Sequence, residues 1–227
     1  MMRRRPCLAA ALAMLGGGFA QRAAATGDAL IAAAQAGNMA LLRRLLDAGT
    51  PVDARDARRR TALLAATHAN RVDAARVLIE RGADVNAKDD IHDSPFLYAG
   101  AQGRLEILLL TLNAGADLKS TNRYGGTALI PAAHHGHVET VRALLQTKIA
   151  IDHVNNLGWT ALLEAVILGD GGAAHTEIVR LLVAHGANVN LADRQGVTPL
   201  AHAEQRGQQA VAEVLRRAGG SHVPSRP

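Results

Sequence analysis

Rings and thiols are scarce in this chain. Its 227 residues include one Trp, two Tyr, two Phe and a single cysteine, Cys7. With 48% hydrophobic residues but only 2% aromatics, the apolar content is small and aliphatic, which suits thin helices packed closely in layers. No stretch beyond the N-terminal segment approaches the ~20 apolar residues that a membrane span requires. The charge is nearly balanced: 25 Lys and Arg face 20 Asp and Glu, and without Arg3, Arg4 and Arg5 the count falls to 22 against 20. A surplus that small, spread along the chain, gives no footprint for nucleic acid. Catalytic signatures are also missing. There is no G-x-S-x-G elbow, no phosphate loop and no H-E-x-x-H pair. Gly169-Asp170-Gly171-Gly172 neither follows a strand nor opens a dinucleotide site. The expectation is a non-enzyme without a cofactor.

Residues 1–25 have the layout of a secretory signal: Arg3 to Arg5 as charged n-region, then an apolar run from Leu8 to Phe19. Small residues follow, placing cleavage after Ala20 or Ala25. The alternative is a buried Ala-rich first helix. A twin-arginine signal fits poorly because Pro6-Cys7 follows the arginines, and Cys7 lacks the flanks of a lipid-attachment site. Removal of the segment leaves no thiol, as an oxidising compartment allows. The expected location is periplasmic or secreted.

What is abundant is glycine on a fixed beat. Gly49, Gly82, Gly115, Gly186 and Gly219 each close an apolar helical stretch, at steps of 33, 33, 71 and 33 residues. The long step divides into 33 and 38, and Lys148 occupies the missing position. A constant period of this size signals stacked units, each burying its apolar face only against its neighbours. In the second unit, Thr61 is placed to cap a small-residue helix running on to Thr67. Val72, Ala75, Val77, Leu78 and Ile79 then form one inward stripe, and Gly82 ends the helix in the left-handed conformation. Two antiparallel helices and an extended hairpin make one layer.

These residues resemble the ankyrin repeat over essentially all of 27–220. The family's T-P-L-H-x-A-A-x-x-G-H and G-A-D-V-N patterns recur in Thr198-Pro199-Leu200, Thr127-Ala128-Leu129, Ala132-Ala133 with Gly136-His137, Gly82-Ala83-Asp84-Val85-Asn86 and Gly186-Ala187-Asn188-Val189-Asn190. The resemblance implies an all-α solenoid of six helix–turn–helix units joined by β-hairpin-like loops, at about 27–55, 56–88, 89–121, 122–154, 155–192 and 193–220, with a disordered tail at 221–227. The His of T-P-L-H is replaced throughout, by Ile31, Leu64, Leu97, Ile130, Leu163 and Ala201, so the inter-repeat hydrogen bond it makes is lost. Lys148 would cost about 1 kcal/mol if its position stayed left-handed. Repeat five carries five extra residues, Asp170 to Ala174, in the turn between its helices. They are either a functional loop or neutral drift.

The resemblance also implies a monomeric, non-catalytic module that binds another protein through hairpin tips and exposed inner-helix positions. The tips are Arg58, Arg60, Ile91, Asp93, Arg123, Tyr124, Leu157, Trp159, Gln195 and Val197. The inner-helix positions are His68, Gln102, His134, His135, Ile167, Leu168, Gln205 and Arg206. Trp159 and Tyr124 are two of four aromatics beyond the signal, and with Ile167 and Leu168 they predict an apolar contact patch. The partner surface is therefore expected on repeats four and five: Arg123, Tyr124, His134, His135, Leu157, Trp159, Ile167 and Leu168. In the alternative, Trp159 folds back and packs its own hairpin against repeat four. Phe96 is expected in the core, and Tyr98 in inter-helix packing.

Two other functions stay open. One is a metal- or cofactor-binding periplasmic protein using His134 and His135, with His153, Glu164, Asp170 and His175 in reach of the next layer. Adjacent helical residues diverge by about 100°, so His134 and His135 do not form the i, i+4 pair that grips one ion. His137 and His175 are read instead as turn-capping residues, and Glu164 as a polar contact in the stack. The other is an inhibitor or immunity protein that blocks an envelope enzyme.

Overall fold

A computed structural model describes residues 13–224, with side-chain environments from residue 25 onward. Arg3 to Arg5, Cys7 and the first part of the apolar run lie outside the described residues. Among the described residues the chain is all-helical, without strands. Six helix pairs follow one another: α1 (Ala13–Ala36) with α2 (Met39–Asp47), α3 (Ala62–His68) with α4 (Val72–Glu80), and α5 (Pro95–Ala101) with α6 (Leu105–Asn113). Then come α7 (Leu129–His134) with α8 (Val138–Leu145), α9 (Ala161–Ile167) with α10 (Ala173–Ala184), and α11 (Pro199–Gln205) with α12 (Gln209–Arg217). Each pair stacks on the next, inner helix on inner and outer on outer, so the core is a continuous ribbon rather than a ball. Helix α1 runs unbroken through Ala20 and Ala25. No helix among the described residues is long and apolar enough to cross a membrane.

Inner helices are sandwiched on both sides, which explains their composition. All seven residues of α9 are buried, and in α3 everything from Ala62 to Thr67 is buried. Small residues let such helices approach. A Cβ on Gly100 would lie 2.8 Å from that of Ala128 in the next layer, so glycine is required there. Phe96 is fully buried, as the sequence predicts.

Hydroxyl caps start most inner helices. Thr61, Ser94, Thr160 and Thr198 accept from the amides of Leu64, Leu97, Leu163 and Ala201, at 3.2–3.3 Å. Thr127 does not: Ile130 N–H bonds the Thr127 carbonyl instead, and the buried Thr127 hydroxyl has no partner. Pro131 follows in the same first turn.

Lys148 does not take the left-handed conformation of the glycines at the equivalent positions. Helix α8 stops at Leu145, and Thr147 closes the turn. The Thr147 hydroxyl donates to Leu144 C=O at 2.6 Å and accepts from Ile149 N–H at 3.2 Å. At the regular Gly82 turn, by contrast, Ala83 N–H reaches back to Leu78 C=O while Gly82 sits at φ 84°. A side-chain oxygen thus replaces the glycine.

The extra residues of repeat five are not a free loop. Ala173 and Ala174 lengthen α10 to 12 residues. Asp170 accepts from Gly172 N–H and faces His175 Nδ1, both at 2.8 Å, while His175 Nε2 lies 2.9 Å from His134 C=O in repeat four. Gln208 of repeat six donates to the carbonyls of Val166 and Gly169. The insertion is bracketed from both neighbours. His137 makes the analogous contact, bonding the Ala101 carbonyl. At the other end of the chain, Ser221 N–H donates to Asn190 Oδ1, and His222 contacts Glu204 at 2.7 Å. The start of the segment read as a disordered tail is therefore held against repeats five and six.

Candidate functional site

Five tip loops repeat one device. Asp56, Asp89, Asn122, Asn155 and Asp193 each turn a side-chain oxygen back to accept two amides, from residues two and four positions on, at 2.9–3.1 Å. Short Asx side chains suit this bond, which mimics a backbone turn. Neighbouring tips are also joined: Asp90 N–H bonds Arg58 C=O, and Asn156 N–H bonds Tyr124 C=O at 2.9 Å. The tips form a fixed row facing the inner helices.

Between tips and helices lies an open groove of about 510 Å³. Tip residues Ile91, Asp93, Arg123, Tyr124 and Leu157 form one wall. His68, Tyr98, Gln102, Pro131, His134, His135, Glu164 and Leu168 form the other. Seven large apolar side chains are exposed among the described residues, and four lie on this groove: Ile91 at 50%, Tyr124 at 53%, Leu157 at 48% and Leu168 at 43%. Exposed apolar surface gathered in a concavity marks a contact site.

Six of the eight predicted surface residues line the groove: Arg123, Tyr124, His134, His135, Leu157 and Leu168. Trp159 and Ile167 do not. Trp159 is half-buried because it closes its tip loop, its amide bonding Asn155 Oδ1 and its carbonyl bonding Asn155 N–H, both at 3.0 Å. Ile167 is buried, one helical step away from the exposed Leu168. Tyr98, read from the sequence as packing, faces the groove and stacks on His68 with ring centroids 3.9 Å apart. The site also reaches back to His68 of repeat two, beyond the two repeats expected. Arg60, Gln205 and Arg206 lie off it; Arg60 pairs with Asp56, and Arg206 donates to the Ile167 carbonyl.

The groove's polar groups are unusual. Glu164 is only 6% exposed; Asn155 Nδ2 donates to its Oε1 at 2.8 Å, and its Oε2 stands 3.6 Å from His134 Nδ1. Burial pushes the Glu164 carboxyl up, with the Asn155 hydrogen bond working against it. Burial holds His134 below the usual histidine range, aided by the nearby His135 and His175. Burial and the neighbouring Asp89 raise Asp93, opposed by Arg123 at 3.7 Å. Arg123 lies over the Tyr124 ring, 4.7 Å from its centroid. His68 is depressed by burial and by Arg60, and its Nε2 is buried without a partner.

The rings of His134 and His135 stack at 4.2 Å rather than converging on a point. Among the described residues no group of three His, Cys, Asp or Glu side chains is placed to hold a metal ion.

Fold and site together define a helical repeat solenoid with a concave recognition groove. The chain matches the family described as Ankyrin repeats (3 copies) over residues 8–89 and 96–193, and it belongs to that family. An ankyrin repeat domain from Acinetobacter baumannii AYE is similar at 58% identity and a TM-score of 0.82, covering 85% of this chain and 98% of that one. The ankyrin repeat protein EF0377 is 42% identical, with a TM-score of 0.81 over 84% of this chain and 98% of its own. The ankyrin repeat domain of Bcl-3, a member of the IkappaB protein family, is 29% identical with a TM-score of 0.76, covering 85% of this chain and 86% of that domain. A 56-residue stretch is 46% identical to YahD of Escherichia coli (strain K12), spanning 25% of this chain but only 28% of YahD. Ankyrin repeats are general protein–protein interaction modules.

Proposed function

We propose that this protein is a non-catalytic adaptor of the bacterial periplasm, which grips a partner protein in the concave groove centred on repeats four and five. The observation that carries this reading is the clustering of Ile91, Tyr124, Leu157 and Leu168, four of the seven exposed large apolar side chains among the described residues, along one groove. Tyr124 is the anchor: a half-exposed ring, held by its backbone to the next tip and by Arg123 from above. Leu157 and Leu168 extend the apolar lining, while His135 and Arg123 supply polar selectivity at the rim. In this reading the mechanism is binding alone. The protein acts as a monomer, and an inhibitor of an envelope enzyme would use the same surface with a different partner.

Export rests on Arg3 to Arg5, the apolar run and the small residues before Thr26. The mature N-terminus would follow Ala20 or Ala25, which mass spectrometry of the periplasmic fraction reads directly.

A photo-crosslinking residue at position 124, compared with one at the exposed outer-helix position 109, tests the groove. Crosslinks to another protein from 124 and none from 109 support it. Crosslinks from 109 alone place the contact surface elsewhere.

A further inference from the structure

In repeat five the polar register between tip and inner helix is reversed relative to repeat six. Asp193 of the sixth tip uses one oxygen for its own loop and the other, at 2.7 Å, for Nε2 of His202 nine residues on. There the acid sits on the tip and its basic partner on the helix. Nine residues separate Asn155 from Glu164 as well, but here the tip is neutral and the helix carries the acid. Asn155 supplies one N–H to Oε1, and no cation completes the pair. The nearest basic atom, His134 Nδ1, is 3.6 Å from Oε2, outside hydrogen-bond length, and His134 is held toward its neutral form by burial and by His135 and His175. In the same register, repeats three and four carry Tyr98 and Pro131, so Glu164 is the one carboxylate on this row of the groove floor.

The Glu164 side chain is only 8% exposed and lines the groove, with one hydrogen bond at Oε1 and none at Oε2, so a cation entering there would complete it. Burial indeed moves Glu164 upward, as a site short of one cation requires. Leu157 and Leu168 line the same groove.

Resting on the groove as the binding surface, we propose that the groove recognises a peptide segment presenting a lysine or arginine side chain between apolar residues. Its cationic head meets Glu164 Oε2, and its flanking apolar side chains lie against Tyr124, Leu157 and Leu168. An acidic segment is rejected at the same place, because it would bring a second negative charge to a carboxylate that has no cation of its own.

The probe is an array of heptapeptides with a fixed central Lys, Arg, Gln, norleucine or Glu and randomised Leu, Ala or Tyr on each side. Full-length protein is applied alongside the Glu164→Gln and Tyr124→Ala variants, each checked for an unchanged helical spectrum and melting profile. Glu164→Gln keeps an oxygen for Asn155, so the fold is retained while the charge is removed. The wild type should favour central Lys or Arg at least fivefold over Gln and more strongly over Glu. Glu164→Gln should bind but lose that preference, and Tyr124→Ala should bind all peptides weakly. Binding that depends on Tyr124 yet is indifferent to the central residue overturns the charge proposal and leaves the groove standing. A basic preference that survives in Glu164→Gln assigns it to another acid and also overturns the proposal. No binding to any peptide, or binding untouched by Tyr124→Ala, overturns the groove reading and this inference with it.

Discussion

Asn155 and Glu164 are joined by a 2.8 Å hydrogen bond across the floor of the groove, where repeat six instead joins Asp193 to His202. Asn155 is itself buried, and its Oδ1 already holds the amides of Leu157 and Trp159. Asn155→Asp preserves that loop bond, deletes the donor to Glu164 and places two acids together. The expected loss is about 2 kcal/mol near neutral pH, with recovery in the double variant that adds Glu164→Gln. Denaturant melts of the three proteins check it.

Acid should weaken the protein through its half-buried histidines. Burial lowers His68, His134 and His137 from 6.5 in the folded state. A group so depressed contributes stability above its unfolded pKa and loses it as pH falls through the folded value. Stability should thus decline below about pH 6.5, before the low-lying carboxyls of Asp56 and Asp193 protonate. Glu164 and Asp93, raised by burial, act in the opposite direction and soften the decline. In His68→Gln, whose side chain no longer charges, the drop in Tm between pH 7.5 and 5.5 should shrink.

Repeat four should not gain from restoring its missing glycine. Lys148 is exposed and outside the left-handed region, so Lys148→Gly relieves no strain and only adds freedom to the unfolded chain. The expected change is within about 0.5 kcal/mol of zero or slightly destabilising. Thr147→Ala removes the hydroxyl that closes the turn and should cost about 1 kcal/mol, measured by urea titration.

His175 fastens the insertion to the preceding repeat, contacting both Asp170 and the carbonyl of His134. His175→Ala should cost about 1–2 kcal/mol and loosen the junction of repeats four and five. Amide exchange should accelerate in α9 and the first turn of α10 before it changes in α3.

The solenoid was legible because its signals are local and recur. Thr61 and Gly82 cap and close helices through bonds within a few residues, and the 33-residue spacing repeats them. Tyr124 and Leu157 were legible as tip residues for the same reason. Trp159 was not, because the Asn155 oxygen draws its amide into the base of the loop and leaves only residues 156 and 157 projecting. Ile167 and Leu168 differ by one helical step, enough to exchange core for groove. The groove placement of Tyr98 and the isolation of Glu164 depend on what the adjacent layer supplies, His68 for one and a distant His134 for the other. Such relations join residues 30 apart in sequence and appear only once the layers are stacked.

The most direct test of the groove as a protein-binding surface is capture from bacterial envelope extract. The baits are the wild type, a Tyr124→Ala, Leu157→Ala double variant, and Leu109→Ala as a control on an outer helix. All three residues are exposed, so all three baits should fold alike. The account predicts a protein retained by wild type and by Leu109→Ala and lost from the double variant. Equal retention by all three folded baits would contradict it.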